Sequence, residues 1–219
     1  MSSRIYQYQH VFFDLDGTLC DSIKDLKKAW LKTISDMKRS VPEFEKLYQV
    51  GPPIQEIARR FFPDLNDDER EDALTCFKHN YDYTSTLEET IAYPWISKFL
   101  HHLRQNGSNL YILTNKRKYP TNRIIEKFGW QELFSGVFTP DVKEGMVYKK
   151  SELLGVLIQQ LGIAPATAIM VGDTAGDVLT GINNSVATAG VTWGYGTQKE
   201  LQEANCGILL SPKDFEQWM

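Results

Sequence analysis

The chain has 219 residues, 42% hydrophobic and 24% charged, enough for a substantial core in one large domain or two small ones. Its 28 acidic and 24 basic residues leave a formal charge of -4, which argues against nucleic acid as a main partner and makes any cationic pocket local. Cys20, Cys76 and Cys206 lack disulfide or metal-type spacing, and no apolar run approaches a signal peptide or a membrane span, so a reducing, cytoplasmic setting without membrane attachment is expected.

The first element is the apolar run Val11-Phe12-Phe13, which reads as a buried strand and ends abruptly in Asp14-Leu15-Asp16-Gly17-Thr18. In open parallel sheets, ligands sit beyond the carboxyl ends of the strands. Two carboxylates there repel each other unless a cation or proton is shared, and a hard cation such as Mg²⁺ suits oxygen ligands. A calcium loop would need glycine at its sixth position, where counting from Asp14 gives Leu19. A plain strand-end turn is the other bland reading, and the rest of the chain must decide it.

Between Asp21 and about Tyr93 the pattern is helical with no convincing strand, and turn signals stand at Val41-Pro42, Gly51-Pro52-Pro53 and Phe62-Pro63-Asp64. Asn66 followed by Asp67-Asp68-Glu69 reads as a helix cap, with Ala73, Leu74 and Phe77 on the buried face. This insertion, 21–93, separates the first strand from the rest of a core comprising 1–20 and 94–219. It is expected to act as a lid that excludes water from the acids. Within it Lys27, Lys28, Arg59 and Arg60 could meet a substrate anion, although a solvated helix face is the simpler reading of each.

The core resumes with a helical stripe of Ile96, Phe99, Leu100 and Leu103. Short apolar runs then alternate with amphipathic stretches. Leu110–Leu113, Gly136–Phe138, Ala168–Gly172, Ala187–Val191 and Ile208–Leu210 read as strands, with helical patterns around Ile124–Phe128 and Leu153–Ile158. That alternation predicts an α/β fold, a Rossmann-like doubly wound parallel sheet carrying an inserted α-helical domain.

Two further strand exits carry chemistry. Thr114-Asn115 offers a hydroxyl and backbone amides suited to phosphate oxygens. Gly172-Asp173-Thr174-Ala175-Gly176-Asp177 repeats the strand-end acid, and its two aspartates, four apart, would share a face if a helix begins there. Carboxylates and a phosphoryl group in one pocket demand a further cation, for which Lys149 and Lys150 are both placed just ahead of a helix.

Taken together, Asp14-Leu15-Asp16-Gly17-Thr18, Thr114-Asn115, a lysine at 149 or 150 and Gly172–Asp177 resemble the four ordered motifs of the haloacid dehalogenase-like hydrolase superfamily. The insertion resembles its C1 cap. Val50-Gly51-Pro52-Pro53 and Val191-Thr192-Trp193-Gly194-Tyr195-Gly196 resemble the phosphoglycolate phosphatase-like branch. The resemblance implies a phosphatase for a small phosphorylated metabolite, with Asp14 as nucleophile and Asp16 as general acid and then base. It implies Mg²⁺ held by Asp14, the Asp16 backbone carbonyl and Asp173. Thr114 and Asn115 would bind the phosphoryl oxygens, the motif lysine would neutralise developing charge, and Asp177 would orient that lysine or a metal-bound water. Relatives often have proline after that lysine. Here Lys149-Lys150-Ser151-Glu152 stands instead, and Lys150 fits the Lys-x-Glu variants of the branch. The presence of Asp16 speaks against the dehalogenase reaction. A phosphomutase or a pyrophosphatase would use the same core, and a non-catalytic metabolite-binding protein would have little use for so many acids. The chain is expected to be a monomer or homodimer.

Overall fold

The computed structural model describes residues 5–141 and 148–218. Ser22–Ile91 forms one compact unit, and the chain on either side of it, to Asp21 and from Ala92, forms the other.

The larger unit is built on a six-stranded sheet whose strands are His10–Phe13 (β1), Asn109–Leu113 (β4), Gly136–Phe138 (β5), Ala168–Gly172 (β6), Ala187–Val191 (β7) and Ile208–Leu210 (β8). Cys20–Asp21 (β2) and Ile91–Ala92 (β3) form a separate two-stranded sheet. The strand at Ile91–Ala92 corrects the expectation of an insertion without strands: a two-residue strand is too short to show any alternation, and its pairing with β2 is what defines it.

All pairings in the six-stranded sheet are parallel, in the order β5-β4-β1-β6-β7-β8. From β1 the chain builds outward through β4 and β5, then crosses back over β1 to start β6. The order therefore reverses at the carboxyl end of β1, which is where open α/β sheets leave a crevice. Phe13 pairs with Ile112 on one side and Val171 on the other, so the ends of β1, β4 and β6 lie level. Strands buried on both faces read as continuous apolar runs, as Val11, Phe12 and Phe13 do.

Alternate side chains of β1 enter opposite layers. Phe12 stacks on Tyr111 at 4.7 Å and shares a cluster with Leu113, Met170 and the Leu153, Leu154 and Leu157 stripe of Lys150–Gln160 (α7). Phe13 meets Phe99 edge-on at 6.3 Å, on the helix Ile96–Gln105 (α5), whose Ile96, Phe99, Leu100 and Leu103 are buried. Lys118–Lys127 (α6), Ala175–Asn183 (α8) and Gln198–Glu203 (α9) complete the helices of this unit among the described residues.

The second unit comprises Ile23–Asp36 (α1), Phe44–Leu47 (α2), Ile54–Phe61 (α3) and Asp67–His79 (α4), continued by a π turn over Asn80–Thr84. Asn66 caps α4 reciprocally. Its side chain accepts from the Glu69 backbone N–H at 2.9 Å while the Glu69 carboxylate accepts from the Asn66 N–H at 3.0 Å. The core of this unit is aromatic: Trp30 stacks on Phe77 at 4.0 Å and meets Phe61 edge-on at 5.2 Å. No helix among the described residues is long and apolar enough to cross a membrane.

Trp30 is fully buried between these rings, so Trp30→Ala should lower the stability of its unit by about 3–5 kcal/mol, measured by denaturant titration.

Candidate active site

The backbone N–H of Asp14 still donates to the Val171 carbonyl at 2.9 Å, so its side chain emerges exactly one residue beyond β1. The chain then turns sharply, with the Leu15 carbonyl accepting from Leu19 at 2.9 Å and from Cys20 at 3.2 Å. Gly17 sits in this turn at φ +85°, where a Cβ would lie 2.3 Å from the Asp173 carboxylate. A side chain there would be strained and would also displace the acid.

From the end of β6, Asp173 is fully buried, with one carboxylate oxygen accepting from Thr18 Oγ1 at 3.1 Å and the other from the Tyr195 backbone N–H at 2.7 Å. The loop that carries this N–H is tied down by Trp193 Nε1, which donates to the Thr18 carbonyl at 3.1 Å, and by the Tyr195 hydroxyl, 2.9 Å from Asp21. Gly194 lets the loop pass against the acid: a Cβ there would fall 2.2 Å from that of Asp173.

Thr174 is the N-cap of α8, and Asp177 returns the cap by accepting from the Thr174 N–H at 3.1 Å and its hydroxyl at 2.7 Å. Asp173 therefore precedes the helix, which corrects the expectation that it and Asp177 share a helix face. They converge because the strand-to-helix turn folds back: oxygens of Asp14, Asp173 and Asp177 lie within 4.8 Å of one another.

Lys150, the first residue of α7, places Nζ 2.8 Å from Asp14 and 2.7 Å from Asp177. Lys149 is instead the exposed N-cap residue, so the structure brings Lys150 to the acids and leaves Lys149 outside. At the end of β4, Thr114 is buried and its hydroxyl accepts from the Lys116 N–H at 3.2 Å, which keeps the hydroxyl hydrogen for another acceptor. Asn115 follows it, half-buried.

Three contributors were not anticipated from the sequence. Lys116 is buried, and its Nζ lies 2.9 Å from Asp16. Thr18 and Tyr195 hold Asp173 as described. The signal for Lys116 lay in the register: with Phe13 paired to Ile112, residues just past the ends of β1 and β4 must face each other. In the second unit, Lys27 pairs with Glu45, Lys28 with Glu89 and Arg60 with Glu56, while Arg59 is exposed.

Burial dominates the electrostatics. It pushes the Asp14 carboxyl up to about 6, opposed by Lys150 and reinforced by Asp177 and Asp16. It pushes Asp173 up to about 8, reinforced by Asp14 and Asp177 and opposed by the Tyr195 N–H and Lys150. For Lys150 burial works downward, but the Asp14 and Asp177 carboxylates outweigh it and hold the ammonium charged. Lys116 pairs with Asp16 and Lys150 with Asp14 and Asp177, and the carboxylates of Asp14, Asp173 and Asp177 lie close enough together to hold a metal ion.

Residues 8–184 match the family model for haloacid dehalogenase-like hydrolases. The chain belongs to that family, whose members generally use a divalent metal. Over 206 residues it is 30% identical to a phosphoglycolate phosphatase of Psychrobacter arcticus, covering 90% of this chain and 89% of that protein. It is 26% identical to a 5'-nucleotidase of Pseudomonas aeruginosa, covering 92% and 90% of the two chains. A solved structure described as a predicted phosphatase from Clostridium acetobutylicum superposes with a TM-score of 0.83 at 25% identity, covering 94% of this chain and 95% of that one.

A carboxyl that holds its proton more tightly in the fold than in the unfolded chain opposes folding once ionised. Stability is then greatest below the ordinary carboxyl pKa and declines as pH climbs to the folded value. For Asp14 and Asp173 the decline runs to about 6 and about 8. In EDTA the melting temperature should therefore fall between about pH 5 and about pH 8. The rise in melting temperature on adding Mg²⁺ should grow over the same interval, and a rise equal at both ends would count against a cation among these acids.

Proposed function

We propose that this phosphoric monoester hydrolase is a Mg²⁺-dependent phosphatase that cleaves a small, phosphoglycolate-like phosphomonoester through an aspartyl-phosphate on Asp14. The observation that supports this most is the buried group of Asp14, Asp173 and Asp177 at the sheet's reversal point, with Lys150 bridging two of the acids. A plain turn would have no reason to bury these carboxylates together.

In this reading Thr114 and Asn115 hold the phosphoryl oxygens while a carboxylate oxygen of Asp14 bonds to phosphorus. The ester oxygen leaves and takes a proton from Asp16. Water then attacks phosphorus, the bond to Asp14 breaks, and Asp16 recovers a proton from the water. Lys150 neutralises charge on the transferring group, and Asp177 keeps its Nζ beside Asp14. When bound by Asp14, the Asp16 backbone carbonyl and Asp173, Mg²⁺ would screen the nucleophile from the phosphate charge. The unit Ser22–Ile91, close to the expected 21–93, serves as the cap domain and sets substrate choice. A cytoplasmic setting suits the three free cysteines.

The test is phosphate release from phosphoglycolate, sugar phosphates, nucleotides and pyrophosphate with Mg²⁺, using Asp14→Asn as the blank. A preferred monoester, silent in the variant, is the expected result; equal activity in the variant would remove the nucleophile. EDTA should stop turnover and excess Mg²⁺ restore it.

Lys150→Ala should reduce kcat by roughly 10²–10³-fold. Lys149→Ala should leave it within about threefold of the parent, since that side chain is exposed.

A further inference from the structure

Lys116 is a buried cation that the mechanism above leaves without a task. Its side chain is 5% exposed and its Nζ lies 2.9 Å from Asp16 Oδ2, whose own side chain is 11% exposed. A desolvated ammonium is costly unless paired. The backbone on which it sits is also held: the Lys116 N–H donates to Thr114 Oγ1 at 3.2 Å, and its carbonyl accepts from Thr121 Oγ1 at 3.5 Å.

The two lysines divide the acids of one short motif between them. Lys150, from α7, engages Asp14 and Asp177. Lys116, from the end of β4, engages Asp16. Acids two residues apart in sequence are thus given separate cations from separate elements.

We propose that Lys116 is a positioning residue for Asp16, holding that carboxylate in one place while it serves successively as acid toward the ester oxygen and as base toward water. This rests on the acid–base reading of Asp16. An acid–base group must lie within hydrogen-bond reach at both steps, and its misplacement by about 1 Å can cost on the order of 10²-fold in rate. The ion pair acts on the Asp16 carboxylate, whereas the proposed mechanism assigns the phosphoryl oxygens to Thr114 and Asn115. Loss of Lys116 should therefore spare the formation of aspartyl-phosphate from a substrate whose leaving group needs no proton, and slow the steps that do need one.

The experiment is stopped-flow turnover of 4-nitrophenyl phosphate, whose phenolate departs unprotonated, with Mg²⁺ on Lys116→Met, Lys116→Gln, Lys116→Arg and Asp16→Asn. Asp16→Asn should release a burst of about one nitrophenolate per enzyme and then turn over about 10²–10⁴-fold more slowly than the parent. Lys116→Met should give the same burst followed by turnover slowed by about 10²-fold, with Lys116→Arg recovering most of the rate. Lys116→Gln, which keeps a short donor without charge, should fall between them and serves as the test if the methionine variant does not fold.

Turnover within about threefold of the parent in the folded Met or Gln variant would overturn the proposal, since positioning is worth far more than that. Loss of the burst together with the turnover would also overturn it, because Lys116 would then support the whole site rather than Asp16. Normal turnover by Asp16→Asn would instead remove the acid–base reading itself, and this proposal with it.

Discussion

Mutual repulsion among carboxylates buried at the carboxyl ends of β1 and β6 is the constraint around which this site is arranged. Asp14, Asp16, Asp173 and Asp177 are all held away from water, where like charges are least screened. The protein answers with donors from elements far apart in sequence: Lys116 after β4, Lys150 opening α7, Thr18 from the β1 turn and the Tyr195 N–H from the loop after β7.

The sheet makes such convergence possible because its parallel registers bring three strand ends level. β1 lies between β4 and β6, so every residue just beyond Phe13, Leu113 and Gly172 projects toward the same crevice. The layers behind it are apolar and aromatic on both faces, with Phe12 and Phe13 anchoring opposite sides. Close-packed layers of this kind leave little freedom for the strand ends to shift. Rigidity at the acids is thus inherited from packing several residues away.

Much of this was legible in the chain. The strand runs of the core are mostly apolar segments bounded by polar turns, and acids stand at the ends of β1 and β6, so both α/β class and strand exits could be read without coordinates. The choice between Lys149 and Lys150 was harder, because adjacent residues at a helix start differ only in the helix phase, which packing of Leu153, Leu154 and Leu157 decides. Lys116 was opaque for another reason: a lysine after a strand ordinarily reads as solvated, and only the β1–β4 register reveals the carboxylate opposite it. Asp173 reads as a strand-end acid and stands just beyond β6, while its spacing to Asp177 suggested one helical face only if a helix began there; Thr174 takes the cap and leaves Asp173 on the strand side.

The pairing of β2 with β3 carries a consequence of its own. The outgoing and returning strands of the chain at Cys20–Asp21 and Ile91–Ala92 are clasped side by side, and the Tyr93 N–H adds a bond to the Leu19 carbonyl at 3.2 Å. With its two ends pinned, the intervening segment contributes little closure entropy, and its length can vary at small thermodynamic cost. Evolution can therefore exchange the Ser22–Ile91 module, or enlarge it, while the register that assembles the acids is inherited unchanged.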